Sequence, residues 1–249
     1  HLPDGAACYA ARIRRHTTLT RSAEELHALG LSEIERTDAR LLELGTRLFS
    51  VTTVPEVLEH LRTDPALGYP SGEAIVLDAT ARIREAEARA PEFFGLRATV
   101  ACEVHPIPPA EAASTGFAFY VPGTPDGTRM GAYYVNTAEP ASRRRHLVAA
   151  VTAHEAVPGH HFQITVAHAL PDMPMFRRHA EFTAYVEGWG LYAERLADEM
   201  GLYHDDLDRI GAVDLEAFRA ARLVVDTGLH ALGWTRAQAT AYLLEHTSM

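Results

Sequence analysis

Apolar residues recur at helical spacing through the first third of the chain. In IERTDARLLELGTRLF, Ile34, Leu41, Leu42, Leu44 and Leu48 form an uneven apolar stripe, the pattern of a helix packed on one side and wet on the other. Two capping signatures precede it. Ser22 with Glu25, and Ser32 with Glu35, each place a hydroxyl three residues before a carboxylate that returns the bond, so each predicts a helix start. A further helix is expected from Ser71 to Ala90, closed by Pro91, because proline disfavours helical backbone in the residue before it.

The pattern changes over residues 96–136. RATVACEVH, GFAFYV and GAYYVN are β-prone runs separated by PIPP and by the turn-rich PGTPDGTRMG, which predicts a small antiparallel sheet. Helical spacing then returns over 142–169, 175–200, 205–232 and 235–246, with a break marked by Gly228, Gly233 and Trp234, and with Thr235 as an N-cap. The fold class implied is mainly α (α+β), helices flanking a small sheet that precedes the helix with the candidate site. At 249 residues the chain can bury one sizeable core or two small ones. It reads as a single catalytic-type domain, helical over 1–95, sheet over 96–140 and site-bearing helices over 141–249.

Composition narrows the function classes. A formal charge of −10 argues against a nucleic-acid surface, and the one basic run, Arg143-Arg144-Arg145, reads as a solvated helix start. No apolar run is long enough to span a membrane. Cys8 and Cys102 make neither a disulfide framework nor a CxxC motif, which fits a reducing compartment and slightly favours the cytoplasm. HLPDGAACYAARIRR lacks both an initiator Met and the order of a signal peptide, so a targeting region preceding it stays open. Oligomeric state is not legible.

The stretch HEAVPGHH, residues 154–161, carries the chemistry. Zinc-protease helices use HExxH, whose histidines four apart share a face, but here the fourth position after His154 is Pro158. On a straight helix His160 would stand roughly 120° round and about 9 Å along from His154, and His161 about 10.5 Å along, too far to share one ion. Pro158 removes an amide and Gly159 opens backbone angles closed to other residues, so the pair can turn or bulge the chain and absorb the two extra residues. Glu155 occupies the general-base position of the shorter motif. For a third ligand the strongest candidate is Glu187 in EFTAYVEGWGLYAERLADE, a carboxylate set among Phe182, Tyr185, Val186, Trp189, Leu191, Tyr192 and Leu196 as packing residues and so in need of a partner. Glu181 and Glu194 are alternatives that a more exposed face would explain. The bland alternative is that His160 and His161 cap a helix and Glu187 pairs with an arginine.

HEAVPGHHFQ, AYVEGWGLYAERLADEMGLY and RLVVDTGLHALGWTRAQA resemble the bacterial family called domain of unknown function 885, with weaker similarity through HLPDGAACYAARIRRHTT, ELHALGLSEIER, LRTDPAL and YYVNT. Members look like zinc-dependent peptidases of the gluzincin type, with a zincin-like helical domain and a site design related to carboxypeptidase Taq and angiotensin-converting-enzyme-like proteins. They are usually much longer, which suggests that this chain is a C-terminal portion. The resemblance implies Zn2+ held by His154, His160 and Glu187, with His161 as the alternative ligand and otherwise behind the ligands or facing substrate, and Glu155 as base. Gly190 departs from the Ala commoner in the family's EGWALYAE, expected only to loosen the helix slightly.

In gluzincin-like enzymes a strand beside the metal helix binds extended substrate, so GAYYVNT offers an edge, with Tyr134 and Asn136 as substrate contacts; ordinary half-buried strand residues explain the tyrosines as well. Arg222, Asp226 and His230, each four residues from the next, share a helix face. They suit a substrate-binding Arg222, Asp226 behind a metal-bound histidine and His230 as a catalytic donor to the oxyanion; a salt-bridge stripe fits equally. Tyr242 is a further catalytic phenol, while Trp189 and Trp234 read as core. The expected function is a zinc-dependent hydrolase of amide or peptide bonds acting on a peptide or small amide. The alternatives are hydrolysis of a small amidated metabolite and a non-catalytic protein with a structural metal.

Overall fold

The computed structural model describes residues 3–170, 172–180 and 182–249. Helices α1 (Gly5–Thr17), α2 (Ala23–Phe49), α3 (Val54–Thr63) and α4 (Gly72–Phe93) lead to strand β1 (Cys102–Pro106), the short helix α5 (Pro109–Ala112) and strands β2 (Ala118–Val121) and β3 (Gly131–Val135). Helices α6 (Arg145–Glu155), α7 (His160–Ala169), α8 (Met175–Arg178), α9 (Thr183–Glu199), α10 (Asp206–His230) and α11 (Arg236–His246) follow. The class is mainly α with a small sheet, as the pattern implies. No helix among the described residues is long and apolar enough to cross a membrane. Two compact units emerge, residues 1–64, 182–184 and 213–249 in the first and 65–181 and 185–212 in the second.

In the first unit the Ser22–Glu25 capping box forms as expected, the Ser22 hydroxyl accepting from the Glu25 amide at 3.2 Å. The second predicted start does not exist. Ser32 lies inside α2 and donates to the Leu29 carbonyl at 2.8 Å. Gly30, inside the same helix, serves packing: a Cβ there would stand 2.7 Å from Val224 Cγ2. Thr235 caps α11, its hydroxyl accepting from the Gln238 amide. The C-terminus is tied down by buried Asp214, which accepts from the Ser248 amide and hydroxyl.

In the second unit Ser71 caps α4, but the helix runs through Pro91 to Phe93. A proline so near the end forfeits one helical bond, and the Phe94 amide still reaches the Ala90 carbonyl at 2.9 Å. The sheet order is β1-β3-β2, with β2 antiparallel and β1 parallel to β3, so the expectation of an all-antiparallel sheet is corrected. The reason is the crossover through PIPP and α5, which carries the chain from β1 to the far side of β3 before the β2–β3 hairpin forms. Asn136 holds that crossover. Its Nδ2 donates to the carbonyls of Ala112, Thr115 and Gly116 at 2.8, 3.0 and 3.1 Å.

Helix α6 is buried from His146 to His154. Ala149, Ala150 and Ala153 let neighbours approach from every side, as a helix without a wet face requires. Its start is set by α10, whose Gly211 lies so close that a Cβ would collide with the His146 carbonyl. Arg82 of α4 anchors the start of α10, giving a two-pronged bond to Asp208 at 2.9 and 3.1 Å and a third to Asp78 at 3.0 Å.

Candidate metal centre

His154 ends α6 and His160 begins α7, and residues 156–159 between them leave the helix, with Val157–Pro158 in the cis form. Pro158 has no amide for the His154 carbonyl, so the α-helical ladder stops there. Gly159 then passes so close that a Cβ would lie 1.8 Å from the His154 carbonyl oxygen and 2.3 Å from that of Ala153. The Gln163 amide bonds to the Gly159 carbonyl at 2.9 Å, which restarts helix as α7. From α9 the Trp189 indole N–H donates to the Pro158 carbonyl at 2.8 Å and pins the break.

This break replaces the separation of a straight helix with contact. The rings of His154 and His160 stand edge to face with centroids 4.6 Å apart. His154, Glu155 and His160 each offer a ligand atom within 4.8 Å of the others. Glu187 of α9 faces both histidines, its Oε2 3.4 Å from His154 Nε2 and its Oε1 3.8 Å from His160 Nε2. Among the described residues this is the site where two imidazoles and two carboxylates converge.

His161 points elsewhere. Fully buried, its Nδ1 lies 2.9 Å from the Tyr120 hydroxyl of β2, and burial pulls its pKa down to about 4, leaving the ring neutral at pH 7. Gly131 of β3 makes room for this pair, since a Cβ would lie 2.5 Å from the Tyr120 oxygen and 2.7 Å from His161 Nδ1.

Helix α9 corrects two expectations. Its buried face is Gly190, Ala193, Glu194, Leu196 and Ala197, whereas Tyr185, Leu191 and Tyr192, read as packing residues, are exposed. Glu187 is therefore 59% exposed rather than enclosed, and it is Glu194, read as surface, that is buried, with Oε1 2.7 Å from His154 Nδ1. Glu181 lies outside the described residues. Gly190 does more than loosen a helix: a Cβ there would come within 2.4 Å of His154 Cε1.

The remaining candidates occupy other surroundings. Asn136 is buried with its amide committed to the crossover, so it has nothing to offer a substrate. Tyr134 stacks on Phe119 at 5.1 Å, and β3 is the central strand, flanked by β1 and β2, so its edge is not open to a peptide. Arg222, Asp226, His230 and Tyr242 belong to the first unit. There Asp226 accepts from the Tyr9 hydroxyl at 2.6 Å and lies 3.7 Å from His230. It cannot back His154, whose Nδ1 already faces Glu194. Arg222 lies over the Phe218 ring, and Tyr242 packs edge-on against Trp234, with burial pushing its phenol up to about 12. Sequence reasoning missed the roles of Tyr120, Trp189 and Glu194. Two signals were available: an indole N–H needs an acceptor, and Glu187, Gly190 and Glu194 recur at three- and four-residue steps that share one helix face.

A mainly helical α+β chain with a histidine–glutamate centre at a broken helix is what fold and site define. All of it, residues 1–249, matches the family described as "Bacterial protein of unknown function (DUF885)", and the chain belongs to that family. It is similar over 99% of its length, with TM-score 0.95 and 32% identity, to a solved structure described as "The crystal structure of the putative lipoprotein from Colwellia psychrerythraea". It covers 43% of that chain, less than half its length. No curated protein matches.

Proposed function

We propose that the protein is a zinc-dependent hydrolase of amide bonds, with a peptide or small amide as substrate. The observation that carries this reading is the convergence of His154, His160 and Glu187, with Glu155 beside them. Two imidazoles and one carboxylate are a donor set that catalytic zinc takes while keeping a position for substrate or water, so the residues fit the ion. His154, His160 and Glu187 would hold it. When bound, zinc polarises a carbonyl and acidifies water.

The remaining work falls to the chain. Glu155 directly follows His154, and its ligand atom lies within 4.8 Å of those of His154 and His160, close enough for its carboxylate to accept a proton from the attacking water. The protonated carboxyl then donates to the leaving amine nitrogen as the C–N bond breaks. The buried α6 and the pinned break at Pro158 hold these groups in place before substrate arrives, which is the condition for efficient proton transfer.

The test pairs stoichiometry with chemistry. Protein purified without chelator is expected to carry one zinc per chain, and Glu155→Gln is expected to keep that zinc while losing roughly 10²–10⁴ in hydrolysis of short peptides or acyl-amino acids. Absence of zinc, or full activity in Glu155→Gln, refutes the proposal.

A further inference from the structure

We infer that Glu194 is the positioning residue for His154, with Gly190 as the seat that admits the ring; this deepens the metal reading and rests on it. Glu187, Gly190 and Glu194 share one face of α9. The His154 ring lies against that face, with Gly190 beneath it: a Cβ would stand 2.4 Å from Cε1, 2.7 Å from Nε2 and 2.8 Å from Nδ1. The imidazole bridges two carboxylates of one helix, Nδ1 at 2.7 Å from Glu194 and Nε2 at 3.4 Å from Glu187.

A carboxylate only accepts and a neutral imidazole has one N–H to give, so the 2.7 Å contact takes it in preference to the 3.4 Å one: the proton sits on Nδ1 and the lone pair on Nε2. Glu194 is 2% exposed, so this charge-assisted bond is shielded from water. The Tyr203 hydroxyl donates to the Glu194 backbone carbonyl at 2.6 Å and steadies the turn of α9 that carries it. Glu194 thereby selects the ring nitrogen that is presented and holds the ring's angle, two properties that set metal affinity without direct contact with the ion.

The experiment measures zinc affinity by competition with a chromophoric chelator, and the His154 tautomer by ring 15N NMR of the metal-free chain. Glu194→Gln, nearly isosteric, is expected to weaken zinc binding roughly ten- to hundredfold while the metal-free melting temperature holds. Glu194→Ala is expected to weaken it further and to lose the Nδ1–H form that the parent shows; should that variant not fold, the Gln comparison carries the test. Equal zinc affinity in parent and Glu194→Gln overturns the assignment, as does an Nε2–H tautomer in the parent. If the parent takes up no zinc, the metal reading falls. The tautomer still decides the rest, since an Nδ1–H form persisting in Glu194→Ala overturns the positioning role.

Discussion

Two histidine–carboxylate pairs, one in each unit, show what organises a side chain here. His154 and Glu194 are 40 residues apart in sequence, 2.7 Å apart in space, and their side chains are 7% and 3% exposed. His230 and Asp226 are one helical turn apart, separated by 3.7 Å and 59% and 60% exposed. Periodicity finds the second pair at once and says nothing of the first. Yet the first has the short, dry bond that fixes a tautomer, while the second is a surface contact of the kind that contributes little. Burial delivered by packing between helices, rather than regular spacing, marks the oriented histidine.

If burial is what matters, the largest effect on stability from a single polar side chain belongs to Asn136. Asn136→Ala leaves the carbonyls of Ala112, Thr115 and Gly116 without its amide. The expected cost is about 3 kcal/mol, seen as a fall in melting temperature on the order of 5–10 °C. An unchanged melting temperature with a raised KM would instead make Asn136 a substrate contact. Gly190→Ala comes next, because the added methyl must displace the His154 ring or the helix. Overpacking of this kind costs about 1–3 kcal/mol, and it is expected to appear as roughly ten- to hundredfold weaker zinc binding, measured by chelator competition. Unchanged affinity would show that the ring can move without losing its bond to Glu194.

What was legible in the sequence follows the same division between local and distant causes. The caps at Ser22 and Thr235 are bonds within a few residues of each helix start, and reading them placed those starts correctly. The helix break at Pro158 and Gly159 was equally readable, because a missing amide and a missing Cβ act on their own neighbours. Ser32 carries the same local signature as Ser22 yet sits mid-helix, its hydroxyl turned back to the Leu29 carbonyl. The parallel pairing of β1 depends on a crossover held by Asn136, and the burial of Glu194 rather than Glu187 depends on which face of α9 meets α6. The crossover leaves no mark in a short window, and the spacing of Glu187, Gly190 and Glu194 shows a shared face without showing which end of it is covered. His160 rather than His161 lies beside His154 because His161 turns to Tyr120, a partner 41 residues away.

The smallest effect is expected at the exposed pair, and there the comparison can be made quantitative. A double-mutant cycle on His230→Ala and Asp226→Asn, read by denaturant unfolding, is expected to give a coupling of about 0.5 kcal/mol or less, because water competes for both partners and their 3.7 Å separation is long for a hydrogen bond. Asp226→Asn is also expected to leave zinc affinity unchanged, since the Nδ1 of His154 is engaged by Glu194 and has no place for a second carboxylate. Tyr9→Phe should cost more than His230→Ala, because the Tyr9 hydroxyl meets Asp226 at 2.6 Å and ties α1 to α10. A His230–Asp226 coupling above about 1 kcal/mol would show an orientation that exposure alone does not permit, and would restore His230 as a histidine held for chemistry.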